Sequence, residues 1–166
     1  MLALGIDPGT AICGYGIVEM EGSRMRPIFY GSVFTDKDMA PEMRLKKIHE
    51  DITDIIEHFK PDVMSIEKLF FNRNVTTAIP VGQARGVVLL AAAEHDLPIM
   101  EFTPMQVKLA VTGYGKADKN QVIFMVQRLL NIKEKIKPDD TADALAMAIC
   151  GLNCASAVRW KQLDRK

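Results

Sequence analysis

Cysteine is scarce in this 166-residue chain: Cys13, Cys150 and Cys154 make an odd number with no framework spacing. That excludes a disulfide-stapled scaffold and fits a reducing cytosol. Long apolar runs are missing as well. The longest, Gly86-Val-Val-Leu-Leu-Ala-Ala-Ala93, falls well short of the ~20 residues that cross a bilayer. The opening Met1-Leu-Ala-Leu-Gly-Ile-Asp7 lacks the basic segment of a secretory signal. No membrane association and a cytoplasmic location are therefore expected. Internal repeats and low-complexity linkers are absent, and the length allows one well-packed domain and not two of ordinary size. Nor does either sign of charge predominate, since 21 Lys and Arg balance 21 Asp and Glu.

What is present is ordinary in amount and uneven in placement. A hydrophobic fraction of 48% with 25% charged residues is that of a soluble globular protein. Between Thr103 and Lys137, however, Lys108, Lys116, Lys119, Arg128, Lys133, Lys135 and Lys137 are opposed only by Asp118 and Glu134. The last residues carry Arg159, Lys161, Arg165 and Lys166 against Asp164 alone. Charge runs are usually solvated surface, so a polyanion-binding face is permitted here without being demanded.

Patterning predicts an α/β domain. Leu2–Ile6 reads as a buried strand ending at Asp7, Gly14–Met20 as a second and Met25–Phe34 as a third, joined by glycine turns into an antiparallel meander. Pro41 and Glu42 open a helix whose Met43, Ile48, Ile52, Ile55, Ile56 and Phe59 share a face. A strand over Val63–Glu67, a long helix from Val75 to His95 and a strand over Pro98–Phe102 follow. Three helices close the chain: Met105–Val111, Asp118–Asn131 and Asp139 to about Cys154. The order β-β-β-α-β-α-β followed by helices makes a five-stranded mixed sheet flanked by helices on both faces.

Four acids stand out against this frame. Asp7 closes a strand of apolar residues and glycine, at the edge of a core where desolvation penalises charge. Asp before Pro-Gly is also a common turn starter, which explains it as well on its own. Glu67 repeats the placement at the end of Val63-Met-Ser-Ile66, and sites in open α/β sheets gather at such strand ends. Asp140 and Asp143 are three apart and share one helical face. Dipole compensation in a first helical turn accounts for Asp139 and Asp140, but less well for Asp143, which begins an apolar stretch. Ala142, Ala144, Ala146 and Ala148 would let this helix lie close to the sheet and bring its acids toward Asp7 and Glu67.

Carboxylates brought together repel unless a cation sits among them. An oxygen-only donor set points to Mg²⁺, with Mn²⁺ as a possible substitute. Two such ions, ~3.5–4 Å apart, form the clamp used for in-line displacement at phosphorus. Zinc is a poor alternative, because Cys13, His49, His58 and His95 show no ligand spacing around Cys150 and Cys154, which read as helix-packing residues.

Taken together, Gly5-Ile-Asp-Pro-Gly-Thr10 with Gly14-Tyr-Gly16, Ile66-Glu67 with Phe70 and Asn72, and Asp140-Thr-Ala-Asp-Ala-Leu-Ala146 resemble the RuvC family of bacterial Holliday-junction resolvases. The match runs nearly the whole chain, in order. Each motif alone is weak, since Asp-x-Gly-x-Thr recurs in sugar kinases and actin-type ATPases; the combination is specific. The resemblance implies a ribonuclease H-like fold over residues 1–156 with a basic tail at 157–166, a homodimer, and resolution of four-way junction DNA by paired symmetric nicks. It implies that Asp7, Glu67, Asp140 and Asp143 bind two Mg²⁺ ions per subunit and catalyse cleavage, in partnership with the RuvA–RuvB branch-migration complex. Some relatives carry histidine where this chain has Asp140. Phe70 matches an aromatic that stacks on a junction base, with Phe71 beside it a rival for that role. Lys108 and Lys119 match DNA-contacting bases, and Arg73, Asn74 and Arg85 are further candidates for backbone contact. The helix from Val75 matches the dimer region. Under this resemblance the lysine-rich stretch is better read as a phosphate-binding surface.

Three competing readings share some of these residues. A ribonuclease H-like nuclease acting on structured RNA would carry the same acids. An ATPase or sugar kinase would need two related domains, and this chain has room for one. A non-catalytic junction-binding protein would have no use for all four carboxylates.

Overall fold

In a computed structural model of the chain, residues 1–68 and 75–163 are described, with side chains for 1–68 and 78–155. The elements are β1 (Leu2–Asp7), β2 (Ile12–Glu21), β3 (Arg24–Phe34), α1 (Pro41–Phe59), β4 (Val63–Glu67), α2 (Val75–Glu94), β5 (Ile99–Phe102), α3 (Pro104–Thr112), α4 (Lys119–Leu129) and α5 (Asp139–Leu163). The five strands form one sheet in the order β3-β2-β1-β4-β5. β1, β2 and β3 pair antiparallel as the expected meander, while β1–β4 and β4–β5 are parallel. The mixed sheet predicted from the patterning is therefore the one observed.

Alternation along the strands divides the core into two layers. Leu4, Ile6, Ile17, Met64 and Ile66 pack on one face with Ile48, Ile52, Ile55 and Ile56 of α1 and Ala84, Val88, Ala91 and Ala92 of α2. On the other face Ala3, Val18 and Val63 meet Leu145, Ile149 and Leu152 of α5, with Val107 and Val111 of α3 and Val122 and Val126 of α4 beyond. Burying a Leu, Ile or Val side chain is worth ~1.5–3 kcal/mol, so these two layers dominate the stability of the domain.

The helix ends have local causes. Lys60 closes α1 in the left-handed conformation, φ 48°, its N–H reaching the Ile56 carbonyl. Thr103 and Asp118 start α3 and α4 through reciprocal capping boxes with Gln106 and Gln121. One boundary departs from expectation: α5 continues past Cys154 to Leu163. Its last stretch contains neither glycine nor proline, so no residue there ends a helix.

The approach of α5 to the sheet depends on glycines in the strands as much as on its own alanines. A Cβ on Gly5 would lie 1.9 Å from the Ala144 carbonyl oxygen, and one on Gly14 would lie 2.1 Å from that of Asp140. Only hydrogen at these positions lets the helix backbone rest on β1 and β2. The side-chain hydroxyls of Ser32 on β3 and Thr141 on α5 hydrogen-bond at 2.8 Å, tying the first turn of α5 to the sheet.

Candidate active site

Pairing register places the strand-end acids side by side. Ile6 on β1 is level with Ile66 on the parallel β4, so Asp7 and Glu67 leave adjacent strands at the same carboxyl end. Asp7 is also level with Gly14 on β2, the glycine over which the Asp140 backbone sits. The start of α5, with Asp140 in its first turn and Asp143 in the next, is thereby delivered to the end of β1.

Electrostatics report the convergence. Burial pushes the Asp7 carboxyl up to about 7, reinforced by the charges of Asp143, Asp140 and Glu67 and opposed by Lys119. Glu67 is raised by burial and by Asp143. Asp143 is raised by burial and by Asp140 and Asp139, against the lowering effect of Lys119. All four predicted acids thus interact, although they do not share one cavity. Asp7, Glu67 and Asp143 line a 290 Å³ groove together with Lys108 and Lys119. Asp140 opens onto a neighbouring groove, and Lys119 borders both.

Among the described residues no three His, Cys, Asp or Glu side chains converge closely enough to make a ready-formed metal site. The donor chemistry nevertheless fits a hard divalent cation. The groups are all carboxylates, half-buried, with mutual repulsion that a divalent charge would relieve. Among the described residues the cation paired with the acids of α5 is Lys119, whose Nζ lies 3.3 Å from Oδ2 of both Asp139 and Asp143. Partial burial works against its charge, but these carboxylates hold its pKa above the usual lysine value.

The other predicted contacts fall in three groups. Lys108 and Lys119 both face the acid groove. Arg85, a candidate for backbone contact, is engaged within the chain. Its Nη2 pairs with Glu101 Oε1 at 2.5 Å and its Nε donates to the Glu67 carbonyl oxygen at 3.3 Å, which suits a residue that steadies the end of β4. Phe70, Phe71, Arg73 and Asn74 lie outside the described residues.

Asp139 and the Ser32–Thr141 pair were not singled out from sequence. Nothing local distinguishes Asp139 from a first-turn acid, and no spacing links Ser32 to Thr141. A signal that could have placed Lys119 is the Asp-x-x-Gln pattern at Asp118, whose capping box sets Lys119 as the first residue of α4.

A sequence profile described as "Crossover junction endodeoxyribonuclease RuvC" matches residues 3–151. A protein of that name from Desulforamulus reducens is 55% identical over 150 residues, 90% of this chain and 92% of its own length. The solved RuvC structure from Thermus thermophilus superposes with a TM-score of 0.87 at 36% identity, covering 95% of this chain and 96% of that one. The same organism's RuvC in complex with a Holliday junction substrate gives 0.88 at 36% identity, covering 93% and 94%. The fold is ribonuclease H-like, as expected.

Proposed function

Because the chain belongs to the RuvC family of crossover junction endodeoxyribonucleases, we propose that it is a homodimeric, Mg²⁺-dependent resolvase that separates four-way DNA junctions by paired symmetric nicks in recombination and repair. The observation that carries this reading is the meeting of Asp7 and Glu67, at the ends of adjacent parallel strands, with Asp140 and Asp143 on the helix laid across them.

Asp7, Glu67, Asp140 and Asp143 would hold two Mg²⁺ ions per subunit, with Mn²⁺ able to substitute. When bound, such a pair supplies Lewis-acid activation of water and of the leaving 3′ oxygen. The protein's own part is positioning. Gly5 and Gly14 admit α5 to the sheet, Ser32 holds its first turn through Thr141, and Arg85 steadies the strand that ends in Glu67. Lys108 and Lys119 sit where a phosphodiester backbone would enter the groove, and a compact ammonium suits phosphate without demanding a fixed orientation. Phe70, Arg73 and Asn74 complete the DNA contacts in this reading.

The nuclease domain spans 1–156 and residues 157–166 form a basic tail. Dimerisation through α2 and cooperation with a RuvA–RuvB complex belong to the same proposal, as does a cytoplasmic setting, in which Cys13, Cys150 and Cys154 stay as the free thiols they are here. Among the described residues no helix is long and apolar enough to cross a membrane.

The deciding experiment is nicking of a mobile four-way junction against linear duplex, with and without Mg²⁺, resolved on both strands. Paired nicks at symmetric positions on the junction alone are expected. Ready cutting of structured RNA with the DNA junction left intact would replace this reading with that of an RNA-processing nuclease.

A further inference from the structure

The groove on the outer side of Asp140 contains an aromatic ring that neither the fold nor the acid cluster explains. Phe34 ends β3 and is 57% exposed, beside a 740 Å³ open groove bordered by Lys119, Lys135, Lys137, Asp139 and Asp140. A large apolar side chain left in water at a strand end contributes little to a core. Its backbone is fixed all the same: Phe34 is level with Ile12 on β2, and the N–H of Thr35 donates to the Ala11 carbonyl oxygen at 3.1 Å. The ring is thus presented on a rigid edge.

The lysines are fixed in a similar way. Ile136 is buried, 4% exposed, while Lys135 and Lys137 on either side of it are exposed, so the anchored isoleucine turns both ammonium groups outward. Among the described residues neither makes an ion pair, in contrast to Lys119, which is held by Asp139 and Asp143. Two uncompensated cations and an exposed ring beside an acid of the active site are the components of a single-strand binding groove. There, aromatic faces stack bases of any sequence and lysines track the phosphates.

We infer that Phe34, Lys135 and Lys137 form a subsite for the cut strand, in which the base next to the scissile phosphate stacks on Phe34 and the following phosphates lie against Lys135 and Lys137. The subsite rests on the nuclease reading of the acids and extends it, because Asp140 lines this groove and Lys119 borders both it and the acid groove. Its ligand is an unpaired stretch of DNA at the branch point.

The test uses two probes carrying 2-aminopurine, whose fluorescence falls on stacking. One is a four-way junction labelled at successive positions beside the scissile phosphate, bound with Ca²⁺ in place of Mg²⁺; the other is a short single-stranded oligonucleotide. The unaltered protein should quench the label at one position on the cut strand. Phe34→Ala should abolish that quenching and weaken oligonucleotide binding by about fivefold or more, and Phe34→Trp should restore both. Lys135→Ala with Lys137→Ala should keep the quenching but lower the salt slope of oligonucleotide binding by about 1.4, the equivalent of two phosphate contacts. All three residues are exposed, and an unchanged melting temperature would verify folding. If Phe34→Ala quenches and binds like the unaltered protein, or the double lysine variant keeps its slope, the subsite is wrong even where junction nicking proceeds. If nicking of the junction is absent while the oligonucleotide signal behaves as described, the resolvase reading falls and the single-strand site stands.

Discussion

The ammonium of Lys119 lies 3.3 Å from Oδ2 of Asp143, joining the first residue of α4 to the second turn of α5 within the lining of the acid groove. Lys119 is exposed and its pair with Asp143 is held mainly by charge, so the contact itself adds little stability. Its effect is local and electrostatic. It lowers the proton affinity of both Asp7 and Asp143 and keeps a positive charge where a phosphate would approach.

Replacing Lys119 by alanine should therefore do two things at once. Asp7 and Asp143 should titrate at still higher pH, visible in carboxyl carbon NMR of the metal-free protein. Junction binding should weaken, with the slope of log affinity against log salt reduced by about 1. An unchanged slope would count against a phosphate contact at Lys119.

The raised carboxyl groups imply a pH dependence of stability with a definite sign. In the folded chain Asp7 titrates at about 7, against 3.8 when unperturbed, so between those values the folded state binds the extra proton. Its contribution is fully present below about pH 4 and is lost as pH rises through 7. Glu67 and Asp143 are raised as well and act in the same direction. Urea unfolding in EDTA should show greater stability at pH 5.5 than at pH 8. Asp7→Asn should flatten the difference, whose ceiling for this one group is on the order of 4 kcal/mol. Mg²⁺ should stabilise more at pH 8, because its binding must displace the shared protons.

Glu67→Gln keeps the shape of the strand end while removing a charged oxygen donor. Nicking should be abolished and junction affinity should stay within a few-fold. Parallel loss of binding would instead assign Glu67 a structural part.

Gly14→Ala tests how α5 is seated. The added methyl would meet the Asp140 carbonyl 2.1 Å away, a backbone atom that cannot swing aside. Destabilisation of ~1–3 kcal/mol is expected from such overpacking. Nicking should fall further than the folded fraction does, since the helix that shifts carries two of the acids. Activity in proportion to folded protein would show that the depth of α5 is not critical.

Much of this molecule was readable from residue order. Strand alternation, the proline and glycine boundaries and the amphipathic face of α1 are short-range patterns, and they led to the observed β-β-β-α-β-α-β-α-α-α sequence of elements. The strand-end position of Asp7 and Glu67 and the one-face spacing of Asp140 and Asp143 follow from the same periodicities of 2 and 3.6. What remained illegible depends on pairs distant in the chain. Ser32 and Thr141 meet across 109 residues. Gly14 reads as a strand glycine until α5 lies on it. Arg85 reads as a surface base until α2 turns it toward Glu101 and the end of β4. The division of the acids between two grooves has the same origin, because the angle at which α5 crosses the sheet decides on which side Asp140 falls. By itself the sequence determined the kinds of groups available: four carboxylates, an oxygen-only donor set and a surplus of lysines beside them. Only the tertiary structure decided that Lys119 would stand among those carboxylates and that Phe34 would share a groove with Asp140, because only packing brings β3, α4 and α5 to a common edge.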